Sequence, residues 1–554
     1  MKLLGGNNMR RIIGAAIGSC VHVGGLHHFL QLAESEGYEA VSLGPAVSIT
    51  RLVKIIAEQK PDIVALSYRL TPESAALLFS ELSLRLASAG ISDCRMIFGG
   101  TPPVTAVAAA TGMFERLFDG TEPQQSVKEF LRGSTGRDLL SEQPDSLIGR
   151  IALKYPYPLL RHHFGRPTVG ETVRGVEKIA MSGVLDVISV GPDQNAQEQF
   201  FRPGEMDHSQ DGAGGVPLRT ADDLRSIYRH SRCGNYPLVR CYAGTRDLLR
   251  WAEMSVETIK NAWGAIPLCW YSVLDGRSQR TISEAVAENQ SVMRWYALKE
   301  IPVEVNESHQ WSLRDAHDSL SVAMAFLAAW NARKAGVKHY VSQYMFNNPP
   351  GTWPSMDLAK MLAKNEMIER LAADDFTVIR QVRAGLAHFS SNQSFAKGQL
   401  AASAVISLAL RPHIVHVVGY SEGDHAIYPD ELIESCEIVR GVLHNTLRGM
   451  PDLVSSPEVL ERKNELMAEA DTLLEAIKDM GAEMSDDPWS DPGVISRAVR
   501  TGLLDTPHFI HNDHLCGSIL TGLVNGAWYA IDPETGNKIT ETERIEKIRK
   551  LWQE

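Results

Sequence analysis

Short apolar runs alternate with amphipathic stretches along residues 10–135. Each run is long enough for one buried strand, and the stretches between the runs have the spacing of helices. Strands that alternate with helices in this way favour an α/β fold, a doubly wound parallel sheet with right-handed crossovers. The predicted strands are Ile12–Ile17, Ala40–Leu43, Asp62–Leu66, Arg95–Phe98 and Arg116–Phe118.

A longer pattern of the same kind covers residues 176–450. Segments that favour β-structure recur there with helical segments between most of them, which is typical of a (β/α)8 TIM barrel. In such a barrel the loops after the strands build the active site. Seven strands are clear from the pattern, one fewer than a closed barrel needs. They are Leu185–Val190, Leu238–Cys241, Pro267–Val273, Val303–Val305, Tyr340–Ser342, Val378–Val382 and Val415–Val418.

Two segments outside these patterns complete the predicted organisation. Residues 136–175 are polar and rich in proline, which is typical of a linker. Residues 451–554 combine amphipathic helical segments such as Pro457–Met480 with a mixed remainder, and they are predicted to form a C-terminal extension. The expected domains are therefore a parallel-sheet domain at 10–135, the linker, a TIM barrel at 176–450 and the extension.

Composition narrows the classes of function. A chain of 554 residues is too long for one ordinary core, and its net charge of −12 argues against a nucleic-acid-binding surface, which needs clustered Lys and Arg. No apolar run reaches the roughly 18 residues of a membrane helix. The seven cysteines show no disulfide or iron–sulfur spacing, which indicates reduced thiols. We expect a cytoplasmic protein that binds neither nucleic acid nor membrane.

The first predicted strand leads into a segment with candidate chemistry. Arg11–Gly25 (RIIGAAIGSCVHVGG) places His22 in the turn after the strand, directly before a glycine pair and an amphipathic helix. Open α/β sheets bind ligands at this position, outside the carboxyl ends of the strands. The glycines do not form the G-x-G-x-x-G pattern of a dinucleotide-binding turn. His22 is therefore either a solvated loop residue or a ligand, and the ends of the later strands bear on that choice.

Residues after the third and fourth predicted strands complete a recognisable order. Ser67 follows the third strand, and Gly99 and Gly100 follow the fourth. With His22 and Gly25, this order resembles the vitamin B12-binding domain of cobalamin-dependent mutases and methionine synthase. The resemblance implies that His22 is the metal ligand beneath cobalt and that the nucleotide tail of the cofactor lies in a slot along the sheet. Gly25 is then expected to close the turn and Ser67 to touch the base of the tail. Gly99 and Gly100 are expected to let the backbone approach the tail.

Four further residues complete the expected cofactor-binding set. Cys20 stands where the family has an aspartate that accepts a hydrogen bond from the histidine, and Ser19 is a candidate to replace that acceptor. Arg69 stands where the family has the leucine of Ser-x-Leu, and Thr71 lies in the same loop. These differences bear on the strength of the metal ligand rather than on the fold.

A B12-binding domain followed by a barrel resembles glutamate mutase (methylaspartate mutase), an adenosylcobalamin-dependent family. Residues 10–132 are similar to its small subunit and residues 180–550 to its large subunit, so that one chain would hold both. The resemblance implies an isomerase that rearranges the carbon skeleton of a small acid or amino acid by a radical mechanism, and a homodimer. The barrel segments that carry it are Gly244–Leu249, Pro302–Asn306, His339–Asn348, Lys397–Glu422, Thr501–Pro507 and Leu515–Pro533.

The chain departs from this family where the family binds its ligands. Tyr242 replaces a substrate-holding arginine, and Glu307-Ser308 replaces an Arg-Glu pair. Loss of a guanidinium fork removes bidentate carboxylate recognition, so we expect a substrate other than glutamate. Tyr420 replaces the lysine that contacts the adenosyl ribose, and we include it among the cofactor-binding candidates.

Three polar residues near the ends of predicted barrel strands are candidate catalytic residues. Asn306 and Glu307 follow the strand Val303–Val305, and Tyr344 follows Tyr340–Ser342. Groups at the mouth of a barrel can orient a small-molecule substrate by hydrogen bonds. Two alternatives to the mutase stay open: a cobalamin-dependent methyltransferase and a non-catalytic corrinoid-binding protein.

Overall fold

A computed structural model describes residues 10–122, 124–135, 143–242, 246–512 and 515–551. The chain divides into two compact units, Met1–Asp138 and Leu139–Glu554. Each unit has its own sheet and its own hydrophobic core.

The first unit is a five-stranded parallel sheet in the order β2-β1-β3-β4-β5, with helices between the strands. The predicted doubly wound sheet is confirmed. Because β1 has β2 on one side and β3 on the other, the order reverses there, and such a switch point opens a crevice at the carboxyl ends of the strands. The strands are β1 (Arg11–Ala16), β2 (Glu39–Ser42), β3 (Ile63–Tyr68), β4 (Met96–Gly100) and β5 (Arg116–Phe118). The helices are α1 (Gly24–Ser35), α2 (Ile49–Gln59), α3 (Pro72–Ser88), α4 (Pro102–Thr111) and α5 (Gln124–Thr135).

The second unit is built on eight parallel strands that form a nearly closed barrel, so the predicted TIM barrel is confirmed. The strands run in the order β8-β7-β6-β13-β12-β11-β10-β9. Asn261 bridges the seam between the two end strands, because its Oδ1 accepts from the amide of Cys241 at 3.1 Å. The strands are β6 (Leu159–Phe164), β7 (Val187–Val190), β8 (Leu238–Cys241), β9 (Gly264–Ile266), β10 (Val303–Val305), β11 (His339–Phe346), β12 (Thr377–Ala384) and β13 (Ile414–His416).

Helices surround the barrel, and the C-terminal extension packs on them. The barrel helices are α6 (Leu147–Lys154), α7 (Val169–Ser182), α8 (Gln194–Gln199), α9 (Ala221–His230), α10 (Leu248–Ile259), α11 (Ile282–Leu298), α12 (Ser308–Ser312), α13 (Asp318–Lys334), α14 (Pro354–Glu369), α15 (Gln393–Ser407) and α16 (Pro429–Thr446). The extension contains α17 (Pro457–Gly481), α18 (Pro492–Arg500), the hairpin β14 (Leu520–Val524) and β15 (Ala527–Ile531), and α19 (Glu541–Leu551). Its helix α17 shares one core with α13 and α14.

The segment predicted to be a linker belongs to the barrel. Residues 136–175 contain α6, the strand β6 and the start of α7. The strand β6 pairs with β7 on one side and with β13 on the other, and the apolar pattern did not reveal it. The predicted strand Pro267–Val273 is also corrected, because it lies in the loop that follows β9. The linker prediction is therefore wrong for the described part of this segment.

The barrel interior is filled in layers, because every second residue of a strand points inward. The lowest layer is apolar, and Leu147 of α6 packs against it. Two residues further along each strand, the inward positions become polar or charged. The apolar layer contains Leu159, Val187, Leu238, Val341, Ile379 and Ile414, and the buried polar layer above it contains Arg161, Ser189, Arg240, Glu304, Gln381 and His416.

Within the described residues, no helix has the length and apolar character needed to cross a membrane.

Candidate functional site

A groove of about 570 Å³ lies in the first unit, between α1 and the carboxyl ends of β3, β4 and β5. Its walls are mostly apolar side chains, and its volume lies in the range of small-molecule sites. Five residues of the expected cofactor-binding set line it. They are Gly25, Ser67, Arg69, Gly99 and Gly100, and the apolar wall includes Leu26, Phe29, Leu32, Phe118 and Val127.

The glycines of this groove have different roles. A Cβ atom at Gly99 would meet only the carbonyl oxygen of Phe118, at 3.8 Å, so the missing side chain leaves open space in the groove. At Gly25 a Cβ would meet nothing within 4 Å. At Gly100 a Cβ would lie 2.7 Å from the carbonyl oxygen of Tyr68. This distance is too short for a real contact, and Tyr68 is held in place by its pairing with Gly100 in the sheet. Gly99 therefore keeps the groove open, whereas Gly100 is required by the packing of β3 against β4.

The predicted metal ligand lies in the turn between β1 and α1. The side chain of His22 is exposed, and its Nδ1 lies 3.9 Å from Sγ of the buried Cys20. Ser19 is exposed in the same turn. The described residues contain no group of three His, Cys, Asp or Glu side chains able to hold a metal ion by themselves. The imidazole of His22 could instead act as a single nitrogen donor to a metal that another group already holds.

Thr71 has a structural role at the start of α3. Its Oγ1 accepts a hydrogen bond from the amide of Ser74 at 3.3 Å, and its hydroxyl donates to Oγ of Ser74 at 3.0 Å. Thr71 is thus the N-cap of α3 and does not line the groove. Ser19, Cys20 and His22 lie beside the groove in the turn rather than in its wall.

A second cavity, of about 430 Å³, opens at the carboxyl ends of the barrel strands. Arg161 of β6 lies at its base and donates to four uncharged side chains. These are Oγ of Ser189 at 2.8 Å, Oε1 of Gln381 at 3.0 Å, Nδ1 of His416 at 3.0 Å and Nε2 of His163 at 2.8 Å. Because a guanidinium only donates, each imidazole accepts through the nitrogen that faces it.

The two imidazoles are neutral. Burial and the positive charge of Arg161 hold the pKa values of His163 and His416 well below the usual histidine value. His163 lies in the cavity wall, with its ring 5.6 Å from that of Tyr242 in an edge-to-face arrangement. Burial and Arg383 lower the pKa of His309, also in the wall, in the same way.

Glu304 of β10 is the carboxylate at the base of the cavity. It accepts from Arg240 Nη1 at 3.3 Å, from Trp263 Nε1 at 2.6 Å and from Gln381 Nε2 at 3.0 Å. Burial alone raises the pKa of a carboxyl, but the positive charges of Arg240 and Arg161 outweigh it, so that the pKa of Glu304 is lowered and the group is ionised.

Of the predicted catalytic residues, only Asn306 lines this cavity. Glu307 is fully buried behind the wall, where its carboxylate accepts from the amides of Leu268 at 2.9 Å and Cys269 at 3.1 Å and from Trp311 Nε1 at 2.7 Å. Burial raises the pKa of Glu307 to about 7. The expectation that Glu307 contacts substrate is corrected, because its oxygens hold the loop after β9.

Tyr344 and Tyr420 face the helices instead of the cavity. The hydroxyl of Tyr344 donates to Oδ1 of Asn365 at 2.9 Å, and that of Tyr420 donates to Glu434 at 2.7 Å. Because successive side chains of a strand point to opposite faces, the inward residue beside Tyr344 is Gln343, which lines the cavity. The expectations for Tyr344 and Tyr420 are therefore corrected.

The sequence analysis missed the residues that give this cavity its charge. Arg161 and His163 lie on the unrecognised strand β6, and Arg240 and Arg383 lie on β8 and β12. Their common signal is a polar residue at every second position of a short apolar strand, which marks the inward face of a barrel.

No family model matches the chain, and no similar curated protein is found. Among solved structures, a novel cobalamin-binding protein from Desulfitobacterium hafniense DCB-2 is 25% identical over 23% of this chain and 58% of its own, with a TM-score of 0.20. This chain thus spans little more than half the length of that protein.

Two further solved structures are similar over longer segments. The 2,3-dimethylmalate lyase, a member of the PEP mutase/isocitrate lyase superfamily, is 13% identical over 62% of this chain and 98% of its own, with a TM-score of 0.26. The cobalamin-dependent S-adenosylmethionine radical enzyme OxsB is 9% identical over 89% of this chain and 71% of its own, with a TM-score of 0.19. These TM-scores are too low to carry a functional assignment, so the chain's own residues carry it.

Proposed function

We propose that this chain is a cobalamin-dependent enzyme that isomerises the carbon skeleton of a small acid. The groove of the first unit is the observation that carries the proposal. It begins at Gly25, directly after the turn that exposes His22, and Gly99 leaves it open along the sheet. An imidazole donor beside an apolar slot would suit a corrinoid, because His22 would bind its metal and the slot would hold its nucleotide tail.

The residues of the first unit divide the binding between them. His22 would supply the axial nitrogen, and the contact of Cys20 with Nδ1 leaves Nε2 for the metal. Ser67 would offer a hydroxyl to the tail, and the apolar wall around Phe29 and Phe118 would cover its base. Thr71 and Gly100 support this unit through the cap of α3 and the packing of the sheet.

The barrel cavity supports the second half of the proposal. Its wall contains four arginines and two glutamates, and the histidines His163 and His309 in it are neutral, so its charge suits an anionic substrate. A bound adenosylcobalamin would supply radical chemistry. The barrel residues would bind and orient the acid and exclude water, as the closed floor of apolar side chains allows.

Corrinoid binding by the full chain tests the proposal. Incubation with hydroxocobalamin, followed by absorption and electron paramagnetic resonance spectroscopy of the reduced form, should show one protein nitrogen on cobalt. His22→Ala should remove that nitrogen signal and lower the affinity by more than about tenfold. His27→Ala is the matched control, because His27 is an exposed histidine of α1 that does not line the groove.

The outcomes of this experiment distinguish a cobalamin-dependent isomerase from a methyltransferase and from a protein that binds no corrinoid. Failure of the full chain to bind any corrinoid, or an unchanged spectrum in His22→Ala, contradicts the proposal. Turnover of small acids with adenosylcobalamin supports the isomerase. Turnover with methylcobalamin and a methyl acceptor alone would replace the isomerase with a methyltransferase.

A further inference from the structure

Arg383 differs from the other arginines of the barrel cavity in its partners. Arg277 pairs with Asp275 at 2.7 Å and Arg240 with Glu304 at 3.3 Å, whereas Arg161 is surrounded by uncharged acceptors. Arg383 donates through Nε to the carbonyl oxygen of its neighbour Ala384, at 3.3 Å.

No carboxylate of the described chain lies within ion-pair distance of its guanidinium. Arg383 is half-buried, and burial lowers the pKa of its guanidinium to about 10. Glu422 and Glu304 attract this charge from a distance, but neither forms an ion pair with it. A partly desolvated charge without a direct partner is costly, and a ligand of opposite charge removes the cost.

The orphaned polar atoms of the cavity wall point to the same kind of ligand. Two buried side-chain atoms among its described lining residues lack a hydrogen-bond partner, Nε2 of Gln343 and Nε of Arg240. Both are donors. Gln343 accepts through Oε1 from Gln381 at 3.2 Å, so its carbonyl is used and its amide N–H groups are not. Buried polar groups are nearly always paired, and donors of this kind are complementary to the oxygens of a ligand.

Several acceptors of the wall are, by contrast, engaged. Glu304 accepts from three side chains, and Oε2 of Glu422 accepts from Nε2 of His162 at 3.1 Å and from the amide of Gly419 at 2.6 Å. The facing imidazole nitrogens of His163 and His416 accept from Arg161. An ammonium group placed beside Arg383 would meet the positive charge of its guanidinium.

We infer that the cavity binds a small carboxylic acid without an ammonium group, and that Arg383 and Gln343 hold its carboxylate. The inference rests on the proposed function for treating the cavity as the substrate site, and it narrows the substrate class to acids that are not amino acids. A guanidinium fork suits a carboxylate because its parallel N–H groups match the two oxygens.

Calorimetric titration of the full chain without corrinoid tests the inference. The probes are succinate and glutarate, with their amino counterparts aspartate and glutamate. We expect each acid to bind at least about tenfold more tightly than its amino counterpart, and Arg383→Gln to weaken the acids by at least about tenfold. Arg380→Gln is the matched control, because Arg380 is on the same strand, faces outward and pairs with Glu369 at 3.0 Å.

Thermal unfolding provides a readout that a structural role for Arg383 would not give. Removal of a half-buried charge that forms no ion pair should raise the melting temperature of the ligand-free protein. The same change should abolish the gain in melting temperature that succinate or glutarate confers. Four outcomes would overturn the inference. They are a lower stability of ligand-free Arg383→Gln, unchanged binding of the acids by that variant, tighter binding of the amino acids than of the acids, and no binding of either acid. Since no corrinoid is present, failure of corrinoid binding in the separate experiment on His22 leaves this result intact.

Discussion

The groove of the first unit and the cavity of the barrel are built on opposite principles. Apolar side chains form most of the groove, and a glycine keeps it open. The cavity is lined by arginines, glutamates, amides and imidazoles, and Arg161, Arg240 and Glu304 are held by hydrogen bonds to other buried side chains. Both lie at the carboxyl ends of parallel strands, where α/β folds place their ligands.

This difference indicates two kinds of ligand. A slot with few polar groups selects by shape and gains affinity from apolar contact, and a single donor beside it, His22, can supply a specific bond. A cavity with desolvated charges selects by charge and by the direction of hydrogen bonds, and a ligand of the wrong charge is rejected strongly.

Breaking an ion pair should have very different effects in the two units. Glu304→Gln removes the charge that pairs with the buried Arg240, and we expect the barrel to lose about 3–5 kcal/mol of unfolding free energy. Glu39→Gln breaks the exposed pair of Glu39 with Arg11, and we expect a loss of at most about 1 kcal/mol. Urea unfolding followed by tryptophan fluorescence reports the barrel, since all ten tryptophans lie in the second unit. Circular dichroism reports both units. Equal losses for the two variants would contradict the contrast.

The pH dependence of stability should come in part from the barrel, at Glu307. A carboxyl that titrates near 4.5 when unfolded and at about 7 when folded binds its proton more tightly in the folded state. Its contribution therefore favours folding below pH 4.5 and is lost as the pH rises from there through about 7, at about 1.4 kcal/mol for each pH unit.

Glu307→Gln should flatten this part of the curve of unfolding free energy against pH, measured by urea unfolding from pH 5 to pH 8. An exposed carboxyl of the same unit, changed in Glu366→Gln, serves as the control. A wild-type slope that survives in Glu307→Gln would show that the carboxyl is ionised in the folded protein throughout.

A side chain at Gly99 should block the groove without straining the sheet. Because its Cβ would point into open space, Gly99→Val should lower corrinoid affinity by about tenfold or more and leave the stability nearly unchanged. Spectroscopic titration with hydroxocobalamin measures the affinity. Gly24→Ala is the control, since Gly24 has open space around it and does not line the groove. Unchanged affinity in Gly99→Val would place the corrinoid tail elsewhere.

The smallest expected effect concerns Thr71, which the family resemblance assigns to the cofactor and the structure assigns to the cap of α3. Thr71→Ala should cost about 1 kcal/mol of stability and leave corrinoid affinity unchanged. Ser48→Ala, which removes the matching cap of α2, should cost a similar amount. Circular dichroism during thermal unfolding compares the two variants, and a loss of corrinoid affinity in Thr71→Ala alone would return Thr71 to the binding site.

The apolar pattern predicted the first unit well because its central strands β1 and β3 consist mostly of apolar residues. β1 and β3 are buried along almost their whole length, and the residues marked by the resemblance lie at or just after their carboxyl ends, Ser67 in β3 and His22 in the turn after β1. Gly25, Ser67 and Gly99 could therefore be placed in the groove before any coordinates were known. Neither the apolar pattern nor the resemblance could show that Gly100 serves the packing of the sheet.

The barrel was harder to predict because its interior is charged. β6 reads Leu-Leu-Arg-His-His-Phe, and the polar residues that face the lumen hide it among the prolines of its surroundings. A hydropathy profile alone predicts a surface segment here, because the polar residues lower the mean hydropathy of the strand. On β11 the choice between Gln343 and Tyr344 is a choice of face, and one position of register decides it. Arg383 is isolated in sequence from its neighbours in space, so that only the closed sheet brings it to them.

The hydrogen bonds of Arg161 determine whether His163 and His416 can act as general bases. A ring nitrogen that accepts from a permanent cation has no lone pair left to take up a proton there, and burial opposes a second charge on the ring. The rings of His163 and His416 are thus excluded as general bases across the physiological range. An enolisation in this cavity could not use either of these two rings to take up its proton.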